Sequence, residues 1–392
     1  MKHSLIILAA LLTACSKPTP EVTMTTIDGN APIINYIGRF DSISCEGQIR
    51  QYAAGAYFTF AFEGNSCDID IEDENLYGEK YNYLEIVVDD NEPVRFRTVG
   101  RDNLIRIGES QTPDPDSVNV VKINMKASDE KHTVLVCRDT ETGMGYTAVR
   151  SITAEKFIEW TLPAFRRIEF IGNSITCGAE AFCDSVPYGE GNWGDRHMAY
   201  NAFGPRAARE LQSQWALTSV SGIGLIQSCC DMQITMPQVY DKINLAANDI
   251  EYDFGYIPNV ICICLGQNDG IQSKAKFIKA YRGFIDSIRK YYEGYNKIEI
   301  VVMSSPMAND ELREYQADVL TTIVEGAQLD GDEHISLLLF SKSWNGGGGD
   351  HPDYNEHAEI ADEVVAHIKP MFKEENKKFN DAARRVVIKE MN

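Results

Sequence analysis

The sequence predicts an α/β protein built of two parts, an N-terminal all-β sandwich followed by a three-layer α/β/α domain. From Asn35 to about Thr153, short alternating segments rich in β-branched and aromatic residues indicate half-buried strands. Beyond Pro163, short apolar runs alternate with segments of helical period, which indicates a parallel sheet covered on both faces. A chain of 392 residues with 44% hydrophobic residues is long enough for two such domains.

The first part is expected to hold roughly eight or nine short strands, because turn-prone clusters separate its apolar segments. Two such clusters are residues 63–66 and 89–93. With no helical period between them, these strands predict a β-sandwich. Three tyrosines of this part, Tyr77, Tyr81 and Tyr83, have two interpretations. They form either a sugar-binding platform or ordinary packing contacts, and packing is the more common use of such spacing.

The second part contains five apolar runs of strand length, at 168–171, 217–220, 260–265, 298–303 and 335–340. Apolar stripes at helical spacing predict three helices. The stripes are Ala199, Phe203, Ala207 and Leu211; Phe277, Tyr281, Phe284 and Ile288; and Ala358, Ala361, Val365, Ile368 and Phe372. Five strands with covering helices predict a small flavodoxin-like α/β domain.

A serine follows the first of these runs at a sharp turn. Gly172 lets the backbone turn after the strand, and Gly178 follows Ser174 closely. A serine in this place lies at the carboxyl edge of a sheet, where open α/β folds bind their ligands. The position suits a nucleophile. The alternative is a serine that caps a turn or a helix, which is the more common use of Gly-x-Ser alone.

Three further stretches favour the nucleophile over the capping role for Ser174. They are Ser221-Gly222-Ile223-Gly224, Gly266-Gln267-Asn268-Asp269, and Asp350-His351-Pro352 with His357 behind it. Taken alone, Asn268 would be an Asx-turn residue and His351 a loop residue, and His357 is expected to pack within the last helix. In this order and spacing the stretches resemble the SGNH, or GDSL-type, hydrolases. The phrase Ile-Thr-Cys-Gly after Ser174 narrows the resemblance to carbohydrate esterase family 2.

The resemblance implies a jelly-roll sandwich followed by an SGNH hydrolase domain, and a serine esterase that removes O-acetyl groups from carbohydrates. Acetylated xylan, glucomannan and oligosaccharides are the implied substrates, with no metal or organic cofactor. Ser174 would form the acyl-enzyme and His351 would act as general base. The implied oxyanion donors are the backbone N–H groups of Ser174 and Gly222 and the side-chain amide of Asn268.

Two tryptophans are candidate substrate-binding residues. Trp193 begins a segment that resembles the family's segment after the serine block, and Trp344 stands just before the glycine run 346–349, where a packing role is the equal alternative. Asn173 stands where the family usually has aspartate. The acid that orients the histidine normally stands two or three residues before it, but this sequence has Gly348 and Gly349 there. A backbone carbonyl is therefore expected to hold His351, which would give a Ser–His dyad. The rival hypothesis is a lipid-anchored carbohydrate-binding protein with a decayed esterase site.

The N-terminus resembles a bacterial lipoprotein signal peptide. Lys2 precedes the apolar run 5–12, and Leu12-Thr13-Ala14-Cys15 resembles a lipobox whose cysteine becomes lipidated. This predicts a lipid-anchored protein of the bacterial cell envelope, periplasmic or at the cell surface. The net charge of −21, from 37 basic and 58 acidic residues, argues against a nucleic-acid partner.

The predicted boundaries follow from these patterns. They are a signal peptide at 1–15, a tether at 16–30, the jelly-roll sandwich at 31–158, the hydrolase domain at 164–375 and a charged tail at 376–392. Besides Cys15, the pairs Cys45 with Cys67, Cys177 with Cys183, and Cys229 with Cys230 could be oxidised in an envelope compartment, and spacing leaves this open. No cysteine pair has zinc-site spacing with nearby histidines.

Overall fold

The computed structural model of the protein describes residues 23–89, 91–109, 113–125, 131–160, 166–183, 186–246, 250–295 and 297–372. These residues form an eleven-stranded sheet and a five-stranded sheet. The predicted signal peptide with Cys15 and the predicted charged tail lie outside the described residues. Within the described part of the chain, no helix is both long enough and apolar enough to cross a membrane.

The N-terminal part consists almost entirely of strands. In chain order they are β1 (Thr25–Asp28), β2 (Asn35–Ile37), β3 (Phe40–Asp41), β4 (Arg50–Gln51), β5 (Tyr57–Asp73), β6 (Tyr83–Val88), β7 (Val94–Arg97), β8 (Asp102–Gly108), β9 (Asn119–Ile123), β10 (Lys131–Arg138) and β11 (Thr147–Ile158). They pair in the order β3-β4-β11-β5-β10-β6-β7, with β1 on β11, β2 and β8 on β5, and β9 on β8. The sheet-rich character of this part is confirmed, and the jelly-roll arrangement stays a prediction.

Two expectations for this part need correction. The cluster 63–66 is not a turn between strands, because β5 runs through it. Gly64 has φ +123°, and the register against β11 shifts between Ala154 and Lys156, so the turn-prone residues form a β-bulge. The segment 16–30 is not a tether throughout, because β1 pairs with β11 over four residues.

The C-terminal part contains the predicted parallel sheet. Its strands are β12 (Arg166–Gly172), β13 (Ser213–Ser219), β14 (Val260–Ile263), β15 (Glu299–Met303) and β16 (Ile335–Leu338). Their spatial order is β13-β12-β14-β15-β16, and every pair is parallel. This order, in which the first strand lies between the second and third, is the flavodoxin-like arrangement.

Helices cover both faces of this sheet. They are α1 (Ser174–Cys177), α2 (Phe203–Glu210), α3 (Met236–Val239), α4 (Lys274–Tyr291), α5 (Asp310–Leu329) and α6 (Tyr354–Ile368). One apolar core contains side chains of α2 and α6, and a second core on the opposite face contains those of α4 and α5. The three predicted helices correspond to α2, α4 and α6. Helix α5 was not predicted, although its buried residues have the same spacing.

The two parts of the chain share one core along a buried seam. Tyr57 of β5 stacks on Trp215 of β13 with ring centroids 4.1 Å apart. The indole Nε1 of Trp215 donates to the carbonyl oxygen of Gly55 at 2.9 Å. Both rings are buried in the core that also contains Phe170 of β12. The N-terminal strands are therefore packed directly against the parallel sheet.

A buried ion pair crosses the same seam. Arg39, which lies between β2 and β3, is 3.5 Å from the carboxylate of Glu169 in β12. The remaining acceptor capacity of Glu169 is filled by the hydroxyls of Thr218, Tyr240 and Tyr292, at 2.6, 3.1 and 3.2 Å. A buried charge is tolerated only when its partners satisfy it in this way.

Alanine at Gly55 tests how tightly the seam is packed. Gly55 has φ +68°, and an added Cβ would lie 2.6 Å from Cδ1 of Leu217, whereas Gly100 has φ +63° and open space around it. Gly100→Ala should cost ~1 kcal/mol for its left-handed backbone. Gly55→Ala should cost roughly 1–3 kcal/mol more, because buried Leu217 has no room to move without overpacking the core. Urea unfolding of both variants measures the difference, and equal losses would show a loosely packed seam.

Candidate active site

The serine turn has the geometry that the sequence predicts. Strand β12 ends at Gly172, and Ser174 is the first residue of α1. A Cβ on Gly172 would lie 2.0 Å from Oγ1 of Thr176, so only glycine fits there. The side chain of Asn173 caps the helix by accepting from the N–H of Ile175 at 3.1 Å. Asparagine thus makes the capping bond that an aspartate would make.

The structure brings Ser174 and His351 together. The Oγ atom of Ser174 lies 2.8 Å from Nε2 of His351, across 177 residues of sequence. The other ring nitrogen, Nδ1, lies 3.0 and 3.2 Å from the carbonyl oxygens of Gly348 and Gly349. A carbonyl oxygen only accepts, so Nδ1 carries the hydrogen and the lone pair of Nε2 faces the serine hydroxyl. Asp350 is exposed, and the expected backbone support of His351 is present.

The glycine-rich loop before His351 is fixed by Glu180. The N–H of Gly348 donates to the carbonyl oxygen of Glu180 at 2.9 Å, and the N–H of Gly347 donates to that of His351 at 2.7 Å. A Cβ on Gly348 would lie 2.5 Å from Oε2 of Glu180, so the close approach requires glycine. The buried carboxylate of Glu180 in turn pairs with Arg196, whose NH2 group lies 2.9 Å from Oε1. Glu180 belongs to no sequence motif, and its role was not predicted.

Burial lowers the pKa of His351 below its usual value of 6.5, against the opposing effects of the Gly348 carbonyl and the Glu180 carboxylate. The imidazole is therefore neutral at pH 7 and has a free lone pair for the serine proton. This is the protonation state that a general base requires.

The three predicted oxyanion donors meet at one edge of the sheet. Strands β13, β12 and β14 are neighbours, so their carboxyl ends bring Gly222, Ser174 and Asn268 to the same side. Among the described residues, the N–H groups of Ser174 and Gly222 have no hydrogen-bond partner. The amide nitrogen of Asn268 donates one hydrogen to the carbonyl oxygen of Ile223 at 2.8 Å and keeps a second one. These three donor groups lie at the same edge of the sheet, and their role as oxyanion donors stays a prediction.

Asp269 fixes the loop that follows Gly222. Its buried carboxylate accepts from the backbone N–H groups of Leu225, Ile226 and Gln227, at 2.8, 2.6 and 3.2 Å. Burial raises the pKa of Asp269, and these three bonds oppose the effect. The residue next to Asn268 thus holds the glycine loop against the end of β14.

A disulfide between adjacent residues lies beside Gly222. Cys229 and Cys230 are bonded to each other, and the N–H of Cys229 donates to the carbonyl oxygen of Gly222 at 2.9 Å. A Cβ on Gly222, where φ is +85°, would lie 3.0 Å from Sγ of Cys229. Of the three cysteine pairs left open by spacing, Cys229 with Cys230 is joined by a disulfide in the structure, whereas Cys45, Cys67 and Cys177 are not disulfide-bonded.

The fold and the N-terminal part have known counterparts. Residues 36–125 match the family described as carbohydrate esterase 2 N-terminal. The solved structure of a family two carbohydrate esterase from Cellvibrio japonicus superposes with a TM-score of 0.75 at 19% identity, covering 89% of this chain and 98% of that one. The resemblance to the family 2 carbohydrate esterases is confirmed.

Other family 2 carbohydrate esterases and their relatives extend this likeness. The enzyme from Clostridium thermocellum in complex with cellohexaose has a TM-score of 0.74 at 22% identity, covering 86% of this chain and 99% of that one. Est2A, an acetyl xylan esterase from Butyrivibrio proteoclasticus, has a TM-score of 0.71 at 17% identity, with coverages of 89% and 98%. The cellulase/esterase CelE of Acetivibrio thermocellus is 26% identical over 357 residues, which are 88% of this chain and 40% of that protein's length.

One of the two tryptophans predicted to bind substrate needs correction, and the alternative packing role is the one found. Trp344 is only 1% exposed and belongs to the core beneath α6. Its ring packs edge-on against Phe340, and its Nε1 donates to Oε2 of Glu359 at 2.8 Å. An indole enclosed in this way has no surface for a substrate, so its role is packing.

The other tryptophan, Trp193, remains available to a ligand. It is 38% exposed and lies in the turn Trp193–Arg196. Its Nε1 donates to Oε1 of Glu141 at 2.6 Å, and its ring meets His197 edge-on at 5.1 Å. These contacts hold one edge of the indole and leave part of the ring open. Its assignment to substrate binding stays a prediction.

His357 and two of the three tyrosines considered above form hydrogen bonds within the protein. His357 is buried in α6, where Nδ1 accepts from the N–H of Phe203 at 3.1 Å and burial lowers its pKa to about 3. This is the expected packing role. Tyr81 and Tyr83 both donate to Oδ1 of Asp195, at 2.7 and 3.1 Å. Among the described residues, no group of three or more His, Cys, Asp or Glu side chains is placed to hold a metal ion.

The pKa of His351 is directly measurable. Because burial outweighs the neighbouring carbonyl and carboxylate, the NMR titration midpoint of its ring should lie below 6.5. Its signals are identified by their absence from the spectrum of His351→Gln. The protonated form is the disfavoured one in the native state, so acidification through this midpoint should also reduce stability. A midpoint at or above 6.5 would mean that the Gly348 carbonyl and the Glu180 carboxylate together outweigh burial.

Proposed function

We propose that this chain is a serine esterase that removes O-acetyl groups from carbohydrates. The observation that carries the proposal is the 2.8 Å contact between Ser174 Oγ and His351 Nε2. Around this contact the sheet edge offers donors on Ser174, Gly222 and Asn268. A nucleophile, its base and donors for an oxyanion are the groups that acyl transfer requires.

Acylation follows from the positions of these atoms. Oγ of Ser174 attacks the carbonyl carbon of the ester while Nε2 of His351 takes its proton. The carbonyl oxygen becomes negative, and the free N–H groups of Ser174 and Gly222 and the amide of Asn268 donate to it. His351 then gives the proton to the departing sugar oxygen. The products of this half-reaction are acetyl-Ser174 and a free sugar hydroxyl.

Deacylation reuses the same base. A water molecule attacks the acetyl carbon as Nε2 of His351 takes one of its protons, and that proton returns to Oγ of Ser174 as acetic acid leaves and ionises to acetate in solvent. The bonds from Nδ1 to the carbonyl oxygens of Gly348 and Gly349 hold the ring in one orientation throughout. Carbonyl dipoles replace the carboxylate of a triad, and the charge of Glu180 favours the imidazolium from farther away.

A carbohydrate substrate is supported by the relatives. One of them binds cellohexaose in its solved structure, and another is named an acetyl xylan esterase. In this chain, Trp193 is the aromatic surface beside the site on which a sugar ring would stack. We propose acetylated sugar chains such as xylan and glucomannan as the substrate class. We also propose that the N-terminal strands form a jelly roll.

Acetate release tests the proposal. Wild type should hydrolyse 4-nitrophenyl acetate and acetylated xylan or glucomannan, and Ser174→Ala and His351→Ala should each lose about 10³-fold or more in kcat, because either change removes a partner of the proton transfer. His367→Gln, at the far end of α6, is the matched control and should stay active.

The contrary result also has a clear meaning. If wild type releases no more acetate than Ser174→Ala from any of these substrates, the esterase proposal fails. Binding of acetylated xylan in affinity electrophoresis would then favour the rival, a carbohydrate-binding protein with a decayed site.

We also propose that Cys15 carries a lipid that anchors the protein in the bacterial cell envelope, on the basis of the lipobox-like run ending there. In a bacterial host, the full chain should incorporate labelled palmitate and partition into the detergent phase of Triton X-114. Cys15→Ser should lose both properties, because the serine hydroxyl does not replace the acylated thiol. Equal partitioning of the two proteins would exclude the anchor.

A further inference from the structure

A buried carboxylate of the N-terminal part, Glu141, reaches the active site of the C-terminal part. It lies in the connection between β10 and β11 and is 5% exposed. Burial raises its pKa, but the bonds from His197, Trp193 and Ser221 outweigh that effect and lower it to about 2. Glu141 is therefore a charged group at neutral pH, held inside the protein by its partners.

Each oxygen of this carboxylate contacts a different side of the site. Oε2 accepts from the backbone N–H of Ser221 at 2.7 Å and lies 3.7 Å from Sγ of Cys177. Oε1 accepts from Nε1 of Trp193 at 2.6 Å and lies 3.2 Å from Nε2 of His197.

Ser221 and Cys177 each lie in a segment that carries a proposed oxyanion donor. Ser221 immediately precedes Gly222, so a bond to its N–H orients the chain that presents the N–H of Gly222. Cys177 is the last residue of α1, the single helical turn that begins with Ser174. One oxygen therefore touches both segments that supply a backbone donor to the oxyanion.

The charge of Glu141 would by itself repel a nearby oxyanion. Its partners reduce this effect, because the N–H groups of Trp193 and Ser221, the His197 ring and the Cys177 thiol surround the two oxygens. The carboxylate thus acts on the reaction through the groups that it holds. Its four partners come from three separate segments of the C-terminal part. Packing of the connection against one segment would not require contacts with all three.

We propose that Glu141 is a positioning residue for the oxyanion donors. It holds Ser221 and Gly222 against α1, so that the N–H groups of Ser174 and Gly222 face the same oxygen. This inference rests on the proposed esterase function and adds a residue of the N-terminal part to its site.

The test is Glu141→Gln, assayed with 4-nitrophenyl acetate beside wild type and Ser174→Ala. Glutamine keeps the shape, but its NH2 group must face Ser221 N–H or Trp193 Nε1–H, which are donors themselves. The oxyanion donors should shift, and kcat should fall about 10- to 100-fold with KM nearly unchanged, because the lost contact acts in the transition state.

Thr142→Val is the matched control. Its hydroxyl also joins this connection to the C-terminal part, by donating to Oδ1 of Asn244 at 2.6 Å, but it touches no oxyanion segment. This variant should lose thermal stability and keep its kcat. Glu141→Asp covers the case in which the glutamine variant does not fold, because its shorter carboxylate keeps the charge and loses reach. It should show the same selective fall in kcat.

The outcomes separate this inference from the proposed function. An active wild type with an unchanged kcat in the folded Glu141 variants overturns the inference and leaves the esterase intact. An equal fall in kcat for Thr142→Val also overturns it, because the role would then be general stability. A wild type no more active than Ser174→Ala overturns the proposed function and this inference with it.

Discussion

The geometry of the site depends on the buried seam between the N-terminal strands and the parallel sheet. The Arg39 and Glu169 side chains are removed from water there, and such a pair is stable only while every polar atom is bonded. The Tyr57 ring on Trp215 fixes the same contact with apolar surface. Because both interactions fix the orientation of the two sheets, the connection after β10 lies over the carboxyl ends of β12 and β13. A small rotation at the seam would move that connection away from Ser174.

Within this frame, backbone groups make many of the contacts at the candidate site. His351 is held by two carbonyl oxygens, and two of the three proposed oxyanion donors are peptide N–H groups. Backbone groups are well positioned only if their loops are held in place. The buried acids nearby hold those loops. Glu180 holds the histidine loop, and Asp269 holds the loop after Gly222. The charged side chains of the site thus act mainly by fixing the main chain.

The sequence predicted the parts of this arrangement that depend on local pattern. The five parallel strands are short apolar runs, and the Ser174–His351 pair came from the order and spacing of family motifs. The bulge in β5 was missed because Gly64 and its neighbours are the same residue types that form turns. Glu141 and Glu180 were missed because an isolated acid carries no motif, and its partners are far away in sequence. The sequence left pocket and packing roles of Trp344 equally open, because an aromatic residue beside a glycine run occurs both at sites and in cores.

The connection that carries Glu141 also determines whether the N-terminal strands and the α/β part can be separated. The strand pattern changes between β11 and β12, and a cut there would separate two regions of different architecture. It would also expose the faces of Trp215 and Glu169 and leave the peptide before Gly222 without its acceptor. The α/β part is therefore not an interchangeable module. A chimera that joins it to a foreign sandwich must reproduce the aromatic stack, the ion pair and the connection that carries Glu141. Without them, the groups around Ser174 would not be held in place.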